Sequence, residues 1–99
     1  MDRVERVKEM EAAMDELSAA IGALREALEK YEDIQPLADK LEEYLAGEWT
    51  EDYEADERGE LPADMKRGVL SEDGLYDLLA ENDDAAVTLI ETAARIMRG

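Results

Sequence analysis

The sequence predicts an all-α fold: an elongated antiparallel three-helix bundle, with an ordered, partly helical connection before the last helix. Apolar residues keep a seven-residue rhythm at both ends of the chain. The apolar set is Leu, Ala, Met, Val and Ile with no Phe, which favours helices over sheet. Both prolines stand between the rhythmic stretches rather than inside them.

The first stretch carries the strongest pattern. Val7, Met14, Ile21 and Leu28 form one row, and Met10, Leu17, Leu24 and Tyr31 the other. Unbroken heptads of this kind read as a helix, here over 2–32. Ala13, Ala20 and Ala27 flank the stripe and leave room for a neighbouring helix. Such a helix spans ~45 Å at 1.5 Å per residue, longer than a compact domain of this size is wide. Either the bundle is elongated or part of the helix meets a second subunit.

Gln35-Pro36 predicts a break, because the residue before proline is pushed from helical geometry. Pro36 suits the first turn of a new helix. Leu37, Leu41, Tyr44 and Leu45 give a second stripe over 36–46, with Gly47 as its cap. The short connection implies that this helix runs antiparallel to the first. In the connection that follows, Trp49 and Tyr53 share a face in any helical turn, and Gly59 stops the segment. Pro62 opens a short helical turn through Met65, and Gly68 ends it. Ser71 caps a last helix over 72–97, with Leu70 and Leu75 as a hydrophobic staple. Leu75, Leu79, Asn82, Ala86, Leu89, Ala93 and Ile96 form its stripe, and Asn82 on that seam reads as a register-setting residue.

Ninety-nine residues make one domain, 1–99. The 28 acidic and 11 basic residues give a net charge of −17. That charge repels nucleic acid and anionic membrane, and draws cations or basic proteins. With no His and no Cys, disulfides, thiolate nucleophiles, zinc centres and histidine bases are excluded. No apolar run reaches membrane-spanning length and the N-terminus has no signal core, so a cytoplasmic protein is expected.

The words GEW, DYEADE, LP and KRGVLSEDGLYDLL, in that order between Gly47 and Leu79, mark a resemblance. The chain resembles a group of small bacterial proteins labelled only as a domain of unknown function, over nearly its whole length. The resemblance implies a bacterial, cytoplasmic, helical domain. It brings no activity, cofactor or catalytic residue with it.

Function is weighed on four features. Glu51-x-x-Glu54 and Glu81-x-x-Asp84 imitate the carboxylate pairs with which all-helical nucleoside triphosphate pyrophosphohydrolases hold magnesium. These four are the candidate metal ligands for magnesium or another divalent cation. Glu-x-x-Glu occurs six times in this chain, however, so the match carries little information. Asp52, Glu54 and Asp56 open like a calcium loop, but Glu57 stands where the loop needs Gly and Ala63 where it needs Glu. Trp49, Tyr53 and Tyr76, with the adjacent cations Lys66 and Arg67, are candidate partner-binding residues. For the aromatic pair the plainer reading is packing, and for the cations internal pairing with the acidic run. Finally, the net charge suits an acidic nucleic-acid mimic that occupies a basic protein. The favoured reading is a non-catalytic interaction or adaptor module with no cofactor and no catalytic residue. Its candidate self-association surface, as a homodimer, is the first helix.

Overall fold

The computed structural model describes residues 2–71 and 73–99. It is all-helical, with no strand among the described residues. The α-helices are α1 (Arg3–Ala46), α2 (Trp49–Glu57) and α3 (Gly74–Arg98), and a 3-10 turn, Gly68–Leu70, precedes the last. None of the described helices is long and apolar enough to cross a membrane.

Helix α1 begins where a capping residue stands. The Asp2 carboxylate accepts the Glu5 backbone N–H at 2.8 Å, satisfying one of the donors a helix start leaves open. The break expected at 33–36 is absent: α1 runs through Pro36 to Ala46. The separate second helix, and the reversal that would have set it antiparallel to the first, are therefore corrected. The physical reason is that one proline removes one N–H, and the turns on either side hold regular geometry. Gln35 adds a bond of its own there, its side-chain amide donating to the Tyr31 carbonyl at 3.2 Å. The conformational bias of a pre-proline residue is a preference of ordinary size, and the helix continues through it.

The chain divides into two compact units, 1–35 and 36–99. The first consists of α1 residues and has no buried side chain among those described. Its apolar rows face outward from Val4 to Leu24, while Leu28 and Tyr31 are half-buried.

The second unit holds the core. Leu70 of the 3-10 turn and Leu75 of α3 are 6% and 4% exposed, and they are the buried apolar residues among those described. Two glycines shape the path to them. After α2 the chain reverses at Gly59, whose φ of 76° is left-handed. The Gly59 N–H bonds the Asp56 carbonyl and the Glu60 N–H bonds the Ala55 carbonyl, both at 3.0 Å. This pair of bonds is the Schellman ending. Pro62 then opens a single hydrogen-bonded turn closed by Met65 N–H at 3.2 Å, not a helix. Gly68 begins the 3-10 turn, where the sequence suggested an ending.

Ser71 joins that turn to α3. Its hydroxyl donates to the Gly68 carbonyl at 2.8 Å and accepts the Gly74 N–H at 3.2 Å. The expected engagement of Ser71 with the helix start is thus present, and the helix opens at Gly74. The expected first residue, Glu72, lies outside the described residues. A β-carbon on Gly74 would collide with the Ser71 hydroxyl and crowd the Gly68 carbonyl, so this close approach requires glycine. Leu70 and Leu75 are both buried, but the cap of α3 is Asp73 rather than Ser71, so Leu75 is the second residue of the helix and the pair does not take the staple positions expected of it.

Candidate functional site

Helix α2 explains how the middle of the chain is held. Trp49, Asp52, Tyr53 and Asp56 stand at i, i+3, i+4 and i+7, which is one face of a helix. All four are half-buried, whereas Glu51, Glu54 and Glu57 are exposed. Each member of the inward face has work there. The Trp49 and Tyr53 rings stack, with centroids 4.9 Å apart and planes 16° from parallel. The indole N–H of Trp49 donates to the Val69 carbonyl at 2.8 Å, tying α2 to the 3-10 turn. Asp56 receives the Arg67 guanidinium at 2.9 Å, and Arg67 also reaches the Ala63 carbonyl. Asp52 receives the Tyr44 hydroxyl at 2.6 Å, tying the end of α1 to α2.

The Tyr44–Asp52 bond has an electrostatic signature. Donation to the carboxylate stabilises the protonated phenol, and burial and the Asp52 and Glu48 charges add to this, so its pKa is pushed up from 10.0 to about 12. The phenol is neutral in the folded and unfolded chain below pH ~10, so the bond's contribution is fully present there. It fades as pH rises through about 12, where the folded phenol ionises. In a titration followed by phenolate absorbance, Tyr44 is expected to be a late-ionising tyrosine, and Asp52→Asn is expected to abolish that late step. Loss of the step in Glu51→Gln instead would contradict the assignment.

Of the candidate partner residues, Trp49, Tyr53 and Arg67 are therefore engaged inside the second unit, and Lys66 and Tyr76 are exposed. Tyr76 lines a shallow cavity of about 260 Å³ with Glu42, Leu45, Leu79, Ala80 and Asp83. The candidate metal ligands Glu51 and Glu54 lie on the outer face of α2, and Glu81 and Asp84 lie exposed on α3. No three acids among the described residues gather into a set able to hold a metal ion. Just past α2, Glu60 pairs with Arg58 at 3.1 Å. The hydrogen bond and charge of Arg58 hold the Glu60 carboxyl below its usual range, but both side chains are largely exposed and such a pair contributes little to stability.

The Tyr44–Asp52 bond was missed in the sequence, and the specific Asp56–Arg67 pair was not foreseen. A signal for both was present. The two aspartates share the helical stripe of Trp49 and Tyr53, whereas Glu48, Glu51, Glu54, Glu57 and Glu60 recur every third residue, a spacing that winds around a helix.

A long unfilled apolar surface lies on α1. Val7, Met10, Met14, Leu17, Ile21 and Leu24 are 42–65% exposed, Ile21 least and Met14 most. They occupy the two core rows of a heptad pattern, so they form a continuous seam rather than scattered apolar residues.

An all-α protein with a two-leucine core, a half-buried aromatic stack and an open heptad seam is the class these features define. The profile described as "Domain of unknown function (DUF4298)" matches residues 7–92, and the chain belongs to that family. No curated protein and no solved structure matches it.

Proposed function

We propose that this protein is a non-catalytic interaction module that self-associates through the seam on α1. The open run of core-type residues from Val7 to Leu24 is the observation that carries this reading. Fully burying one such side chain stabilises by ~1.5–3 kcal/mol. Covering six partly exposed ones on each of two copies is enough to offset the ~4–15 kcal/mol cost of association. The flanking Ala13, Ala20 and Ala27 keep one side of the seam low. The four candidate metal ligands, Glu51, Glu54, Glu81 and Asp84, are exposed, and no three acids among the described residues gather into a set able to hold a metal ion.

The experiment is a mass measurement in solution by sedimentation equilibrium at micromolar concentration. The wild-type chain is expected at twice its 11.1 kDa mass or more. Leu17→Glu is expected to weaken association by at least about a hundredfold, since it sets a charge in the middle of the seam. Because Leu17 is 63% exposed in the single chain, the variant's fold should survive. A wild-type chain that stays at 11.1 kDa would overturn the proposal.

A further inference from the structure

Resting on that reading, we infer that the partner on the α1 seam is a second copy running antiparallel, with the two helices crossing near residue 19. In an antiparallel pair each residue of one core row meets the other row. With Leu28 and Tyr31 continuing the two rows, one register pairs all eight residues: Met14 meets Leu24 of the second copy, Ile21 meets Leu17, Val7 meets Tyr31, and Leu28 meets Met10. The inner layers matter most, because Leu28 and Tyr31 are already half-buried in the single chain.

The flanks choose between orientations. In this antiparallel register like flanking rows face each other. Glu11 then lies across from Arg25 of the second copy, twice by symmetry. On the other side Ala20 faces Ala20 and Ala13 faces Ala27, so small residues meet small residues and the backbones approach closely. In a parallel pair the rows would mismatch. Ala20 would face Arg25 and Ala27 would face Glu32, leaving only Arg6 and Glu11 as an attractive pair.

Charge along the axis points the same way. Glu9, Glu11, Asp15 and Glu16 form a run with no base between Lys8 and Arg25. All four are exposed. Parallel pairing sets this acidic run beside its own copy. Antiparallel pairing sets it beside the segment that holds Arg25, and the repulsion is smaller.

The chain has no cysteine, so single cysteines report orientation without background. In the full chain under mild oxidation, Ala20→Cys is expected to form a covalent dimer. Met14→Cys is expected to cross-link with Leu24→Cys when the two are mixed, and to cross-link poorly with itself. Charge exchange gives a second readout. Glu11→Arg is expected to weaken association about tenfold in low salt, and adding Arg25→Glu to restore it. Efficient self-cross-linking of Met14→Cys, or no rescue in the double exchange, would overturn the antiparallel register while leaving self-association standing. A wild-type chain that sediments as a monomer would remove both.

Discussion

Leu75→Ala is expected to destabilise the second unit by about 2–4 kcal/mol, the usual cost of a leucine truncated in a packed site. Leu75 is 4% exposed and shares the core with Leu70. No other apolar residue among those described is buried, so little can collapse into the space that the truncation leaves. The substitution also acts at the first turn of α3, beside the Ser71 bonds that join it to the 3-10 turn. Trp49 is the only tryptophan, and it reports on this region directly through its bond to Val69. The midpoint of the tryptophan fluorescence melt should therefore fall by roughly 10–20 °C, at several degrees per kcal/mol for a domain of this size. A shift within the error of replicate melts would mean that Leu75 does not carry the core.

Trp49→Ala is expected to cost about 2–3 kcal/mol. The stack on Tyr53 contributes ~0.5–1.5 kcal/mol beyond its buried area. The indole bond to Val69 contributes ~0.5–1.5 kcal/mol, at the lower end because Val69 is exposed and water can replace the donor. Loss of half-buried ring area supplies the remainder. Trp49→Phe separates these contributions. It keeps a ring over Tyr53 and removes the donor, so it should cost about 1 kcal/mol. Thermal melts followed by circular dichroism of both variants provide the comparison. Equal losses in the two would show that the bond to Val69, rather than the ring, holds α2 to the 3-10 turn.

Both effects arise in the stretch from Gly47 to Leu79, and the sequence shows why. The aromatic pair and the turn glycine at Gly59 each have a local signature of spacing or backbone geometry, and each was legible; Leu70 and Leu75 were legible as apolar anchors at the start of the last helix, although its cap falls two residues later than Ser71. The helical class was legible for the same reason, because heptads report local periodicity. The break at Pro36 was misread. A proline's effect depends on whether its flanking turns are held by other forces, and no local rule contains that information. The short helix expected after Pro62 failed similarly: one turn closed by Met65 satisfies the same signal as the start of a helix.

The polar bonds of α2 were harder still. In a chain with 28 acidic residues, most acids face water, and charge counts alone do not separate Asp52 and Asp56 from their neighbours. Their position on the Trp49 face does, once α2 is known to be a helix. The acid pairs Glu51/Glu54 and Glu81/Asp84 illustrate the reverse case. They matched a spacing pattern, and the fold gives them no common centre among the described residues. The exposed seam on α1 was visible as a pattern, but whether the chain covers it with its own residues required coordinates.

Hydrogen exchange at two protein concentrations tests the central claim most directly. If α1 carries an open seam for a second copy, protection of the amides from Val7 to Leu24 rises with concentration, and protection around Leu70 and Leu75 stays constant. Equal protection of Val7 to Leu24 at low and high concentration would contradict the account.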